Sequence, residues 1–211
     1  GVWSGRGSAS GKVAFLFPGQ GSQSLEMGRS LALAFPEARA AWDLAEAVSV
    51  TWADRLSRVV YPPRSFDADE TKRQAARLTE TAHAQPALAA ASLAGLAVLN
   101  KLGVSPDMTL GHSFGELVAL HAAGVYDATA LLTLARARGE AMAHAGERSG
   151  DAGSMAAIIG DSARVASLLE AAQSAGRGLG VLIANHNAPD QVVLAGPGAQ
   201  TLHLYLGGVS G

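Results

Sequence analysis

The chain has 211 residues, is 48% apolar, and carries 16 Lys and Arg against 18 Asp and Glu, a formal charge of −2. That balance excludes a disordered or collagen-like chain, and cations that are scattered rather than striped argue against nucleic acid as the main partner. The absence of cysteine removes disulfides, thiolate metal sites and thiol nucleophiles together, and it fits a reducing, cytoplasmic setting.

Residues 1–11 are rich in Gly and Ser without a period and read as a linker. Lys12–Phe17 is a short apolar run closed by Pro18-Gly19, which predicts a buried parallel strand followed by a turn and then a helix from about Leu25. A second helix is expected over Phe35–Val50, with Pro36 in the first turn, where its missing N–H costs nothing. Tyr61–Asp69 holds two prolines and no apolar period, and reads as a surface loop. A long Ala- and Leu-rich helix is expected from about Gln85 to Leu102, stopped by Gly103. Its apolar stretch Ala87–Leu99 is interrupted by Ser92 and Gly95 and falls short of the roughly 20 residues that span a bilayer, so no membrane partner is expected. No signal-peptide pattern opens the chain.

Met108–Leu110 predicts a second short strand, Glu116–Ala123 a helix stopped by Gly124, and Ala128–Ala145 another helix capped by Asp127. On that last helix Leu131, Leu134, Ala135, Arg138 and Met142 share one side by helical spacing, which places an arginine among core-facing residues. Beyond Gly150 the pattern becomes strand Met155–Ile159, helix Ser162–Ser174, strand Val181–Ala184 and strand Gln191–Ala195. This β-α-β-β order is part of a ferredoxin-like split unit, which needs one more helix and strand.

Three places carry candidate chemistry. Gly111-His-Ser-Phe-Gly115, between a predicted strand and a predicted helix, has the nucleophile-elbow pattern, in which small flanking residues permit a sharp turn that exposes Ser113 at a helix N-terminus. A plain glycine-rich turn that contains a serine is the alternative. The loop Pro18-Gly-Gln-Gly-Ser-Gln23 lacks the third glycine of a dinucleotide fingerprint and the Gly-Lys of a P-loop. It suits either a simple strand-to-helix turn or a donor of backbone N–H to an oxyanion at the carboxyl end of a strand. Arg138 is costly to bury alone, so it should meet a carboxylate of the protein or of a substrate, or else snorkel to the surface; Arg136 reads as an ordinary surface arginine. No His-Glu-x-x-His spacing occurs, and although His112 and Glu116 stand four apart, as would suit a metal on a regular helix, the elbow reading of Ser113 between them is the better explanation, so no metal is expected.

These blocks recur with others in one order: Phe17-Pro-Gly-Gln-Gly-Ser-Gln23, Thr81-Ala-His-Ala-Gln-Pro-Ala87, Gly111-His-Ser-Phe-Gly-Glu116, Arg138-Gly-Glu-Ala-Met142, Gly153-Ser-Met-Ala-Ala-Ile-Ile-Gly160 and Asn185-His-Asn-Ala-Pro-Asp-Gln-Val-Val-Leu-Ala-Gly196. Together they resemble the malonyl-CoA:acyl-carrier-protein acyltransferase family, in particular the acyltransferase domain of a polyketide synthase. The resemblance implies an α/β fold: an α/β-hydrolase-like large subdomain with a parallel sheet over residues 12–150, and an incomplete ferredoxin-like small subdomain over 151–200, with 201–211 unassigned. It implies a ping-pong transfer in which Ser113 is acylated by malonyl-CoA and deacylated by the phosphopantetheine thiol of an acyl carrier protein, with neighbouring synthase domains as further partners and no bound cofactor.

The resemblance also assigns residues. The backbone N–H groups of Gln20 and Phe114 form the oxyanion hole, Arg138 pairs with the free malonyl carboxylate, and Gln85 lines the pocket. An apolar residue after the serine, here Phe114, accompanies malonyl selection in this family. The general-base histidine is expected beyond the matched blocks; His203 is not assigned that role by sequence order, and His186 reads as a structural or pocket-edge residue. A serine thioesterase and a catalytically incomplete fragment are the competing readings, the first weakened by Arg138, which has no role in a general esterase.

Overall fold

The computed structural model describes residues 11–148, 153–177 and 179–198. The chain divides into two compact units, Gly1–Ala143 and His144–Gly211. The expected linker (apart from Gly11), the tail 201–211 and His203 lie outside the described residues.

In the first unit, β1 (Ala14–Phe17) pairs in parallel with β2 (Met108–Gly111), with Leu16 opposite Leu110. Side chains alternate across a strand, so Phe15 and Phe17 turn toward one layer of helices while Leu16 and Leu110 point the other way. Phe17 is buried with Phe114 and Val118, the latter on α6 (Gly115–Ala122). Thr109 Oγ1 donates to the Ala119 carbonyl at 3.0 Å and ties β2 to α6. Leu16 and Leu110 are 70% and 65% exposed. The expectation of a buried strand over Lys12–Phe17 is therefore corrected: among the described residues, helices cover one face only.

Between the two strands run five α-helices, and the first starts later than expected. Glu26 (φ 60°) and Gly28 (φ 74°) both adopt left-handed backbone, which a continuous right-handed helix cannot contain. As a result α1 is confined to Arg29–Ala34. Helix α2 (Pro36–Val48) starts on its proline as expected and buries Ala38, Trp42 and Ala45. The short α3 (Leu56–Val60) and the hydrophilic α4 (Ala68–Thr79) have no counterpart in the sequence reading, and α4 takes over the end of the expected 61–69 loop. Its start is set by Asp67, whose carboxylate accepts from the Asp69 N–H at 2.9 Å.

The central helix α5 (Thr81–Lys101) begins four residues before the expected Gln85 and runs through Pro86. With its added turn it is long and apolar enough to cross a membrane by length and composition, yet 67% of its apolar window is buried inside the protein. Leu88, Leu93, Leu96 and Val98 join the core formed by α2, α3 and α6. Helix α7 (Ala128–Arg148) follows, with the Ala130 N–H donating to the Asp127 carboxylate at 2.7 Å.

The second unit contains β3 (Ser154–Ile159), α8 (Ser162–Ser174), β4 (Leu182–Ala188) and β5 (Gln191–Gly196). The strands are antiparallel in the order β3-β5-β4. That is the arrangement in which the first three strands of a split β-α-β unit lie, the third between the first two. Val192 and Leu194 of β5 are buried beside Val181 and Ala172. β4 runs to Ala188 rather than stopping at Ala184, with irregular pairing after Ile183 and after His186. His186 is exposed on this strand.

Candidate active site

Ser113 is one of two described non-glycine residues with positive φ, at 52°. An L-residue held in the left-handed region costs roughly 1–2 kcal/mol, so the surroundings must enforce it. They do so through two glycines. A Cβ at Gly111 would overlap the backbone of Gly115 and Glu116, and one at Gly115 would overlap the Phe17 carbonyl. With no side chain at either position, the strand end, the turn and the helix start collapse onto one another. The turn is closed by the Gly115 N–H donating to the His112 carbonyl at 2.9 Å and the Glu116 N–H donating to the Ser113 carbonyl at 3.1 Å.

This leaves Ser113 part-buried at the entry to α6, where unpaired N–H groups favour negative charge. Among the described residues, no side chain hydrogen-bonds its hydroxyl, and the Phe114 backbone N–H has no internal acceptor. The Phe114 side chain is fully buried in the core. What Phe114 offers the site is its N–H, and its ring reaches the site only through packing.

The loop after β1 lies directly against this turn. A Cβ on Gly19 would stand 2.6 Å from the His112 carbonyl oxygen and 3.3 Å from the Ser113 Cβ, so only glycine lets the loop come this close. Gln20 follows, exposed, and its backbone N–H also has no internal acceptor among the described residues. The loop is shaped by its own Gln23, whose Oε1 accepts from the Gly21 N–H at 2.7 Å. Two free backbone donors therefore flank the serine, as an oxyanion hole requires.

The Gln20 side chain carries the site onward. Its Nε2 donates to Thr81 Oγ1 at 3.2 Å, and its Oε1 accepts from Gln85 Nε2 at 3.4 Å. Gln85 is fully buried, also meets Met142 Sδ at 3.4 Å, and keeps its own Oε1 without a hydrogen-bond partner. An unpaired buried amide oxygen costs on the order of 1–3 kcal/mol, and in a substrate site it is an acceptor held ready for a ligand donor or water.

Met142 stands one helical turn beyond Arg138 on α7. Arg138 is part-buried, and among the described residues no carboxylate or other hydrogen-bond partner meets its guanidinium. The expectation of a core-facing row is corrected here: Leu134 is 42% and Met142 49% exposed, while the buried positions are Leu131, Leu132, Ala135 and Gly139. Arg138 borders that stripe. The Gln20 and Gln85 side chains are thus linked by a hydrogen bond and the loop that carries Gln20 abuts Ser113, whereas among the described residues no hydrogen bond or ion pair ties Arg138 to them; it stands one helical turn before Met142, which meets Gln85. Thr81 and Met142 have contacts at the site that the sequence reading did not anticipate.

A family model described as "Acyl transferase domain" matches residues 14–204. The chain is 40% identical over 192 residues to the NorB protein of the spectinabilin polyketide synthase system of Streptomyces orinoci, covering 90% of this chain and 8% of that protein. It is 39% identical over 185 residues to the malonyl CoA-acyl carrier protein transacylase of Bacillus subtilis, covering 88% of this chain and 53% of that enzyme. Among solved structures, a malonyl-transacylase in complex with a type II polyketide synthase acyl-carrier protein superposes with a TM-score of 0.74 at 34% identity, covering 92% of this chain and 58% of that chain. The chain thus spans little more than half the length of the Bacillus subtilis enzyme and of the malonyl-transacylase chain. With its elbow, loop and arginine all inside the matched span, the chain belongs to the acyl transferase domain family.

Proposed function

We propose that the chain carries a malonyl unit from malonyl-CoA to the phosphopantetheine thiol of an acyl carrier protein in polyketide biosynthesis, through an ester on Ser113. The observation that carries this reading is the Ser113 turn itself, a left-handed serine at a helix entry between the free N–H groups of Gln20 and Phe114. A hydroxyl in that position can attack a thioester carbonyl while the two donors receive the developing oxyanion. The Oγ proton passes to a base, the C–S bond breaks, and the CoA sulfur leaves carrying a proton. In the second half the carrier thiol attacks the seryl ester, and the hydroxyl is restored. The resemblance puts the base histidine beyond the matched blocks, and no described histidine bonds Ser113 Oγ.

Malonyl rather than acetyl is favoured by Arg138, an unpaired, part-buried cation one helical turn before Met142, the residue that meets Gln85. A malonyl thioester ends in a carboxylate that a guanidinium binds with two parallel hydrogen bonds. Such charge-assisted bonds contribute roughly 1.5–3 kcal/mol, or roughly ten- to hundredfold. Arg138→Ala is therefore expected to slow loading from malonyl-CoA by about that factor and loading from acetyl-CoA by far less. Equal losses for both donors would remove Arg138 from the malonyl site.

A further inference from the structure

Arg136 reads as a surface residue in the sequence, yet its side chain is only 18% exposed and makes three separate contacts. Its Nε donates to Glu140 Oε1 at 2.6 Å, one turn along α7. Its Nη1 donates to the Ala82 carbonyl on α5 at 3.2 Å. Its guanidinium carbon lies 5.1 Å from the centre of the Trp52 ring, at cation–π distance.

The Ala82 carbonyl is available for a specific reason. In an α-helix it would accept from the residue four positions on, which is Pro86, and proline has no N–H to give. Arg136 supplies the missing donor from another helix. Beside this bond, α7 touches α5 backbone to backbone: a Cβ at Gly139 would stand 2.6 Å from the Thr81 carbonyl oxygen and 2.9 Å from the Ala82 Cα.

At 3.6 residues per turn, Arg136 and Arg138 lie on opposite flanks of the buried stripe Leu131, Leu132, Ala135 and Gly139. One flank is hooked to α5 by Arg136, and on the other Met142 meets Gln85. The two attachments fix the rotation of α7 about its own axis against the turn of α5 that carries Thr81 and Gln85.

We propose that Arg136 is the positioning residue that holds Arg138 toward the acyl site, so that carboxylate selectivity depends on a residue that never touches the substrate. This rests on the malonyl reading of Arg138. Without the hook, α7 can roll and its guanidinium swings off line, which weakens a bidentate contact steeply because such contacts depend on geometry.

The test reads binding, in a Ser113→Ala background so that acylation plays no part. Affinities for malonyl-CoA and acetyl-CoA are measured by calorimetry for this parent and for Arg138→Ala, Arg136→Ala, Arg136→Lys and the Arg136→Ala/Arg138→Ala pair. Arg138→Ala is expected to abolish the preference for malonyl-CoA, and Arg136→Ala to lower it several-fold, of order the tenfold a lost charge-assisted contact gives, with acetyl-CoA binding little changed. Arg136→Lys keeps one donor and should fall between, which also covers the case in which Arg136→Ala fails to fold. The pair should be no less selective than Arg138→Ala alone, since both act through one contact.

A preference that Arg138→Ala destroys but that both Arg136 variants leave intact overturns this inference alone. Equal weakening of both ligands by the Arg136 variants does the same and leaves Arg136 a merely structural residue. A parent without malonyl preference, or one that Arg138→Ala does not alter, overturns the malonyl reading and this inference with it.

Discussion

Replacing Ser113 by glycine should stabilise the protein while ending its chemistry, and the comparison with alanine isolates the cause. The residue sits at φ 52°, and its hydroxyl has no internal hydrogen bond among the described residues. Ser113→Ala therefore removes the nucleophile but keeps the backbone strain, and its stability should stay close to the parent. Ser113→Gly removes both. Relief of the left-handed penalty is worth roughly 1–2 kcal/mol, against which the extra unfolded-state freedom of glycine costs roughly 0.5–1 kcal/mol. Glycine should thus match alanine or exceed it by up to roughly 1.5 kcal/mol, the reverse of the order at an ordinary helix or strand position. Paired urea unfolding curves with unchanged slopes would read this as a shift in midpoint. If Ser113→Gly is less stable than Ser113→Ala, the turn does not store strain at the serine and the elbow reasoning fails.

Three further outcomes follow from other contacts. Gly139→Ala improves helix propensity by roughly 1 kcal/mol, yet its Cβ would press on the backbone of Thr81 and Ala82, so a net loss of roughly 1–3 kcal/mol is expected by denaturant unfolding. A gain in stability would mean that the two helices are not in backbone contact. Burial pushes the Tyr61 hydroxyl up to about 12, with Arg29 opposing, while its O–H donates to the Met27 carbonyl at 2.9 Å. A folded pKa raised above the unfolded value contributes stability that is present below about 10 and is lost as pH rises toward about 12. Tyr61→Phe should flatten that alkaline loss, and an unchanged profile would contradict it. The open face of β1 and β2, with Leu16 and Leu110 side by side, should make the chain self-associate. Light scattering that does not fall for Leu16→Glu/Leu110→Glu would exclude that face as the contact.

The elbow was legible in the sequence because its requirements are local. A strand, a Gly-x-Ser-x-Gly run and a helix are adjacent in the chain, and the steric demands on Gly111 and Gly115 are met by residues within the same short span or on β1. Helix α4 was missed because it is strongly hydrophilic overall and only Leu78 is buried on it; the signals that were there are its amphipathic spacing at the helical period and Asp67 with Glu70 three residues on, an N-terminal capping pattern. The start of α5 was set too late because Pro86 suggests a first-turn proline. The helix begins earlier because the carbonyl that Pro86 leaves open is served by Arg136 from α7, a partner that no local pattern reveals.

The same long-range effect misled the reading of α7. Helical spacing correctly grouped Leu131, Ala135 and Arg138 on one broad side, but which edge of that side is covered depends on how α7 lies against α5. Close approach at Gly139 places it in the stripe and leaves Leu134 and Met142 outside. The reversal of Arg136, from surface residue to interhelical hook, has the same origin. Gln85 was singled out by resemblance, whereas its full burial and its links to Gln20 and Met142 come only from the folded chain.

The most direct test of the account is intact-protein mass spectrometry after brief exposure to malonyl-CoA, with the parent and Ser113→Ala in parallel. A single malonyl increment on the parent and none on Ser113→Ala is the expected result, and it would establish the seryl ester on which the proposed transfer depends. An equal increment on both proteins, or none on either, would contradict the claim that this chain carries the acyl group on Ser113.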